Sequence, residues 1–208
     1  MYGELRNNKS NLEYRSIILA TIIGAILGLV AKLVDVPEIT SVLPIFDDLF
    51  GRFGIWIFVA SILSIFSNTP INAAIKVFSF FVSMLIIYYT YTILFLGFFP
   101  KTQIILWSSI SLISPMCAAV MWHAKETKRI ANILAALPII AMCTEWYITG
   151  SENTLLLVVY LCMIVCLLIC VPQKVKRSLP IIVIAAVTTI LLIKTGWMEL
   201  IYGRLLNV

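Results

Sequence analysis

The sequence predicts an all-α integral membrane protein built as a bundle of about seven transmembrane helices. Of its 208 residues, 62% are hydrophobic and only 12% are charged, and the mean hydropathy is +1.05. A soluble domain is about half apolar and about a quarter charged, so this chain has too little charge to cover a surface in water. We therefore expect a single transmembrane domain over residues 1–208, with the lipid bilayer as its solvent.

Seven apolar runs have about the length that a helix needs to cross the hydrocarbon core, which is about 20 residues. They cover residues 16–35, 50–67, 71–97, 102–122, 130–149, 154–171 and 179–198. The second run is the weakest, and it is followed by "SNTPIN", a short polar connector that breaks a helix. Six spans plus a re-entrant segment are therefore the alternative.

Two segments are expected outside these spans. Residues 1–15 carry basic side chains before the first run and predict a cytoplasmic N-terminal segment. No cleavage site of small residues follows the first run, which favours an uncleaved span over a signal peptide. Residues 38–51 include "PIFDDLFGR", in which apolar residues and Asp47 and Asp48 take opposite sides. Such a pattern is typical of a segment at the membrane interface, here the outer one.

The basic residues predict the orientation. With a cytoplasmic N-terminus and seven spans, about ten of the 15 Lys and Arg residues lie inside, including those of "HAKETKR" and "QKVKR". Cytoplasmic loops of membrane proteins carry such an excess, so the C-terminus is expected outside, in a multi-pass protein of the cell membrane. The same rule accounts for the net charge of +5, and no nucleic-acid partner is predicted.

A polar stripe follows the third apolar run. At 100° per residue one face collects Asn72, Lys76, Ser79, Ser83 and Thr90, while bulky residues such as Phe81 and Tyr89 take the opposite side. Small and polar faces of membrane helices pack against other helices, so we expect the stripe to face the bundle. Lys76 then either snorkels to the inner head groups, joins an ion pair, or has a functional role.

The first run contains a series of small residues at four-residue spacing. Ala20, Gly24 and Gly28 share one helix face, and small residues at this spacing permit close approach of a second helix. Lys32 and Asp35 continue the same face toward the outer end. We interpret the series as a helix-packing surface.

Glu145 is the most informative residue, because it lies one turn inside the outer end of the fifth run. A charge within the bilayer requires a partner or a polar cavity. Lys194 and Lys32 are expected at a similar depth, so two interpretations stay open. The three residues form either a structural ion pair or an outward-facing site that binds a solute or a lipid head group.

Signals for catalysis or metal binding are weak. His123 is the only histidine and lies at the cytoplasmic end of the fourth run, where a head-group contact is its common role. The cysteines (Cys117, Cys143, Cys162, Cys166, Cys170) all lie in apolar runs, where small packing residues are expected and thiolate ligands are costly to form. We predict no catalytic residue, no metal site and no cofactor.

The run "GRFGIWIFVASILSIFSNTPINAAIKVFSFF", with "GFFPK" and "WHAK" downstream, resembles an uncharacterised family of small multi-pass membrane proteins in Gram-positive bacteria. This resemblance implies a bacterial membrane protein and assigns no activity. The chain is also similar in architecture to the vitamin-binding S components of energy-coupling-factor transporters, which have about 200 residues, about six spans and an outward pocket. Fold-level similarity does not establish function.

Three functions remain as hypotheses. The first is a non-enzymatic bundle that binds a small solute or lipid head group near its outer face, as a transport component that contacts transporter subunits. The second is an accessory or immunity-type protein that binds another membrane protein through its small-residue faces. The third is an intramembrane enzyme, which would need a nucleophile and a base within reach of each other.

Overall fold

The computed structural model describes residues 2–40, 42, 44–126, 129–149, 153–171 and 177–196, and all regular structure in these ranges is helical. The basic loop residues Lys128, Lys174 and Lys176 and the C-terminal residues 197–208 lie outside the described residues. The helices are α1 (Tyr2–Val34), α2 (Pro37–Thr40), α3 (Pro44–Phe50), α4 (Phe53–Ile65), α5 (Pro70–Phe95), α6 (Lys101–Trp122), α7 (Arg129–Thr149), α8 (Thr154–Cys170) and α9 (Ser178–Thr195). A 3-10 turn, His123–Lys125, follows α6.

The helices form a membrane-type bundle, as the composition predicts. Within the described residues, five helices are long and apolar enough to cross a bilayer: α1 from Glu13 onward, α5, α6, α7 and α9. The N-terminal segment predicted for residues 1–15 is helical from Tyr2 and runs into the first span without a break. The predicted interfacial segment 38–51 holds the short helices α2 and α3.

The predicted number of seven full-length spans is wrong. Helices α3 and α4 meet at a 61° bend and count as one broken span or as a re-entrant segment, so the described residues contain five full-length spans, or six with the broken one. Helix α4 has 13 residues and α8 has 17, or about 20 and 26 Å at 1.5 Å per residue, against a hydrocarbon core of about 30 Å. The run 50–67 was long enough, but turns before Phe53 and after Ile65 occupy part of it, whereas α8 fills nearly the whole of the short run 154–171.

Local sequence signals start two of the helices. Thr69 is the N-cap of α5, where its hydroxyl accepts a hydrogen bond from the Asn72 N–H at 3.1 Å and Pro70 takes the first helical position. Asn153 caps α8 by accepting from the N–H groups of Leu155 and Leu156. Side-chain acceptors of this kind satisfy N–H groups that a helix leaves unpaired at its start.

Helix α1 packs against α5 along its small residues. A Cβ at Gly24 would lie 2.3 Å from the Phe80 carbonyl oxygen, and one at Gly28 would lie 2.4 Å from the Met84 carbonyl oxygen. Ala20 on the same face is buried. These distances are far below van der Waals contact, so the two backbones could not approach this closely with larger residues at these positions.

The polar stripe of α5 faces the bundle only in part. Lys76 is buried and the Ser83 hydroxyl donates to the Thr21 carbonyl of α1 at 2.8 Å, whereas Asn72 and Ser79 are half-buried and Thr90 is exposed. On the side predicted to face lipid, the residues Phe81 and Tyr89 are buried. The reason is that α5 contacts α1, α4 and α6, so more than one of its faces is covered.

Helix α4 lies between two apolar clusters. One cluster contains residues of α1, α5 and α6 packed on Trp56, and the other contains residues of α7, α8 and α9 packed on Ile65. Ile55 contacts both. The short helix is therefore the element that joins the two halves of the bundle.

Hydrogen bonds show which helix ends lie together. The end of α7 contacts the start of α4 through Glu145, and we name this side of the bundle the Glu145 end. On the other side, Trp122 at the end of α6 and Lys125 just after it bond to the Ser67 carbonyl beyond α4. Arg177, before α9, bonds to Asn132 of α7 on the same side. We name this side the Lys125 end.

Candidate functional site

The Glu145 carboxylate binds the start of α4 rather than a lysine. Its Oε1 accepts a hydrogen bond from the Phe53 N–H at 2.7 Å, and its Oε2 accepts one from the Gly54 N–H at 2.6 Å. The Tyr160 hydroxyl of α8 donates to Oε2 at 2.9 Å. Glu145 is only 1% exposed, so these contacts replace its solvation by water and join α4, α7 and α8.

Gly54 makes this arrangement sterically feasible. A Cβ at this position would lie 2.6 Å from the Tyr160 hydroxyl oxygen and 2.8 Å from Glu145 Oε2. Any larger residue would push both groups away from the start of α4. The N-terminus of a helix carries unpaired N–H groups and a partial positive charge, which explains why a carboxylate is stable there without a direct ion pair.

Arg52 reinforces the same region from the bend before α4. It is buried, its Nε and Nη2 atoms donate to Asp48 Oδ1 at 3.1 and 3.0 Å, and its Nη1 atom donates to the Thr149 hydroxyl. Thr149 in turn donates to the Glu145 carbonyl oxygen at 2.7 Å. The 61° bend between α3 and α4 is thus fixed to the end of α7 by side chains.

Lys32 pairs with a different acid from the one predicted. Its Nζ lies 2.5 Å from Asp35 Oδ2, one helical turn away, and 4.9 Å from the centroid of the Tyr88 ring. The Tyr88 hydroxyl donates to the same Asp35 oxygen at 2.8 Å. Lys32 is 4% exposed, so its ammonium is satisfied within the protein.

Neither Lys32 nor Lys194 forms an ion pair with Glu145 in the described part of the chain, and Lys194 is exposed near the end of α9. From the sequence, only oppositely charged side chains were considered as partners of Glu145, whereas its partners in the structure are backbone N–H groups and a tyrosine. Gly54, two residues after Arg52 at the start of an apolar run, was the feature of the sequence that could have indicated a close contact with the start of this helix.

A cavity of about 310 Å³ lies at the Glu145 end between α1, α3, α4, α5 and α6. Ligand pockets begin at about 300 Å³, so the space suits a small solute or a head group. Among the described residues, Asp35 is the one charged residue of its lining, and the lining contains Phe50, Phe53, Trp56, Tyr88, Tyr89 and Trp107. Glu145, Lys32 and Lys194 are not part of that lining.

Contacts between the rings give the cavity wall its shape. The Phe53 and Trp107 rings lie 5.0 Å apart between centroids, and Phe50 and Trp56 lie 5.8 Å apart. The Trp56 Nε1–H donates to the Phe50 carbonyl at 3.0 Å. Ring pairs at such distances attract each other, so the wall is preformed rather than built from mobile side chains.

The Lys125 end is held by a second set of polar contacts. Lys125 donates to the carbonyl oxygens of Ile65 and Ser67 at 3.3 and 2.8 Å, and its Nζ lies 4.3 Å from the Trp122 ring. The Trp122 Nε1–H also donates to the Ser67 carbonyl at 2.8 Å. The bond to Ile65 satisfies a carbonyl group that α4 leaves unpaired at its end, and the bonds to Ser67 satisfy a carbonyl of the connector that follows. His123 is exposed and lies 2.6 Å from Glu126.

The cysteines do not form a packing stripe. Cys162 is exposed, and it shares an apolar surface furrow with Cys166 and Cys170 on α8. The buried face of this helix is formed by Tyr160, Met163 and Leu167 instead. Within the described residues, no group of three His, Cys, Asp or Glu side chains is placed to hold a metal ion.

Comparison with protein-family models, with curated proteins and with solved structures found no match for this chain. The resemblance to a family of Gram-positive membrane proteins therefore stays a prediction.

Proposed function

We propose that this chain is a non-enzymatic membrane protein that binds a small solute or a lipid head group in the cavity at the Glu145 end, as a component of a transport system. The observation that carries the proposal is the lining of the cavity, where the Asp35 carboxylate faces a wall of aromatic rings. Ligand sites commonly combine an apolar wall with a few fixed polar groups. Lys32 and Tyr88 fix Asp35 in this way.

The residues assigned to the site change accordingly. Lys32 supports the site through Asp35, whereas Glu145 anchors α4 beside it. Lys194 has no part in the proposal. The site consists of Asp35 with its aromatic neighbours, chiefly Trp56, Tyr89 and Trp107.

The orientation is part of the proposal, with a cytoplasmic N-terminus and the cavity on the outer side. The charges support it, because basic residues are in excess at one end of the bundle. At the Lys125 end, Lys125 and Arg177 bond to the residues after α4 and to α7, and Arg129 begins α7. At the Glu145 end the described acidic and basic residues balance: Asp35, Asp47, Asp48 and Glu145 against Lys32, Arg52, Lys101 and Lys194. An excess of Lys and Arg marks the cytoplasmic side.

The rival function, an accessory or immunity-type protein, loses the surface predicted for it. Gly24 and Gly28 are covered by the α5 backbone of the same chain, so this small-residue face is not free for a partner protein. A partner would have to bind a different face. Because this face is covered while the cavity is open to a ligand, the solute-binding hypothesis is favoured.

Ligand-dependent stabilisation of the purified protein tests the proposal. A ligand that binds the folded state raises the melting temperature, so a set of small solutes is screened on protein in maltoside micelles. Leu106→Trp fills the cavity from within its lining and should abolish the shift. Leu112→Trp, on the same helix but 69% exposed, is the matched control and should retain it. A shift that survives in both variants would contradict binding in the cavity.

A further inference from the structure

Two of the six aromatic residues that line the cavity are buried, which separates them from the membrane-interface belt that Trp and Tyr often form. Trp56 is 5% exposed and Tyr89 is 7% exposed, whereas belt residues present their rings to the head-group region. Both rings line the cavity together with Trp107. Their π faces carry partial negative charge and attract cations.

The Asp35 carboxylate is available to a ligand on one side. Its Oδ2 atom accepts hydrogen bonds from Lys32 and Tyr88, and no described residue is found donating to Oδ1. The side chain is 40% exposed and lines the cavity. A neutral, apolar ligand would remove water from this carboxylate without replacing its hydrogen bonds, which is unfavourable.

The charge around the cavity also disfavours anions. Asp47 lies close enough to Asp35, Asp48 and Lys32 to interact electrostatically with all three, and Arg52 pairs with Asp48. The three carboxylates and two basic groups of this cluster sum to a net charge of −1. Like charge repels an incoming anion, and the weak negative excess attracts a cation.

The chain already contains one ammonium group bound by the same chemistry. The Lys32 Nζ contacts the Asp35 carboxylate and lies 4.9 Å from the Tyr88 ring centroid and 5.9 Å from that of Phe98. A carboxylate and two aromatic faces therefore hold an ammonium ion beside the cavity. The cavity lining combines the same carboxylate with a larger number of rings.

We propose that the ligand of this cavity is an organic ammonium ion, held between the free side of Asp35 and the rings of Trp56, Tyr89 and Trp107. This inference rests on the proposed function, because it names the class of molecule that the same cavity binds. Aromatic cages are the usual site for methylated ammonium groups. The ammonium group belongs either to a free solute or to the head group of a lipid.

Choline and its uncharged isostere dimethylbutanol test the sign of the charge directly, because they have nearly the same shape. We expect choline to raise the melting temperature of the protein and dimethylbutanol to have little effect. Asp35→Asn should raise the Kd for choline about tenfold or more, a loss of about 1.4 kcal/mol. Asp47→Asn removes the same charge outside the cavity lining and should change Kd by less than about threefold, the scale of a screened charge at the protein surface.

Trp107→Leu is a second variant, useful if Asp35→Asn does not fold. Removing this ring should weaken choline binding more than it weakens any binding of dimethylbutanol, because only the cation interacts with the π face. Equal binding of choline and dimethylbutanol, or unchanged choline binding in Asp35→Asn, would overturn the inference. Neutral solutes that bind wild type but not Leu106→Trp would leave the proposed function intact while refuting the ammonium ligand.

The source of the ammonium group is decided by lipid composition. In nanodiscs made only of phosphatidylglycerol, free choline should bind, since no lipid supplies an ammonium group. If addition of phosphatidylcholine weakens this binding, the lipid head group occupies the cavity. If it does not, the ligand is a free solute. Both results support the ammonium ligand, whereas absence of choline binding in phosphatidylglycerol nanodiscs contradicts it.

Discussion

Replacing Glu145 should destabilise the fold more than any other single charge change in the chain. Glu145→Leu removes the acceptor of three hydrogen bonds, those from Phe53, Gly54 and Tyr160. Interhelical hydrogen bonds in membrane proteins average about 0.6 kcal/mol, but a buried donor left unsatisfied costs about 1–3 kcal/mol. The loss for three bonds thus lies between about 2 and 9 kcal/mol. We expect about 4 kcal/mol, because the site is too buried for water to replace the carboxylate.

Glu145→Gln separates charge from shape. The amide keeps one acceptor oxygen but turns an NH₂ group toward a backbone N–H or the Tyr160 hydroxyl, so about half of the loss is expected, about 2 kcal/mol. Equilibrium unfolding in mixed micelles measures both variants. Hydrogen exchange of a peptide covering Phe53 and Gly54 reports the local effect, which should be faster exchange at the start of α4.

Glu126→Gln is the matched control, because Glu126 is a glutamate at the opposite end of the bundle that pairs with the exposed His123. Ion pairs with exposed groups contribute little, and this variant should unfold like wild type. The explanation of Glu145 fails if Glu145→Leu unfolds with the same free energy as the control. It fails equally if exchange at the start of α4 does not change.

Three further outcomes are expected. Gly28→Leu should lower the unfolding free energy by at least about 1–3 kcal/mol, measured by the same unfolding assay, because even a Cβ there would lie 2.4 Å from a backbone oxygen of α5. Lys125→Met should cost about 1–3 kcal/mol and speed hydrogen exchange around Ser67, whose carbonyl it binds at 2.8 Å. In a cysteine-free chain, Gln103→Cys should react with impermeant maleimide from outside the cell and Glu126→Cys only from the cytoplasm. Labelling of both cysteines from the same side would refute the topology, in which the two ends of α6 lie on opposite sides of the membrane.

Most of the long helices could be predicted from the sequence, because the bilayer sets the length of an apolar run. The runs 71–97, 102–122, 130–149 and 179–198 agree within three residues with α5, α6, α7 and α9. The break in the run 50–67 could not be predicted from hydropathy. It depends on the turn at Gly51 and Arg52, which is stabilised by contacts with Thr149 from a helix far along the chain.

The polar contacts were harder to predict than the helices. Helical spacing placed Lys32 and Asp35 on one face of the first span, and the two side chains form an ion pair of which Asp35 lines the cavity. The partners of Glu145 could not be found by matching opposite charges, because two of them are backbone N–H groups. Such partners become visible only when the bend that leaves these N–H groups unpaired is known.

The length of α4 explains why the strongest polar contacts of the bundle lie at its two ends. A helix of 13 residues is about 20 Å long, and the hydrocarbon core is about 30 Å thick. If such a helix crosses the core, its two ends cannot both lie outside it, and unpaired N–H or carbonyl groups inside the core must bind a protein group because water is absent there. Glu145 supplies the acceptor at one end, and Lys125 supplies the donor at the other. The broken span opens space beside Phe50 and Phe53 for the cavity, so Glu145, which the sequence analysis placed in a binding site, stabilises the short helix beside that cavity.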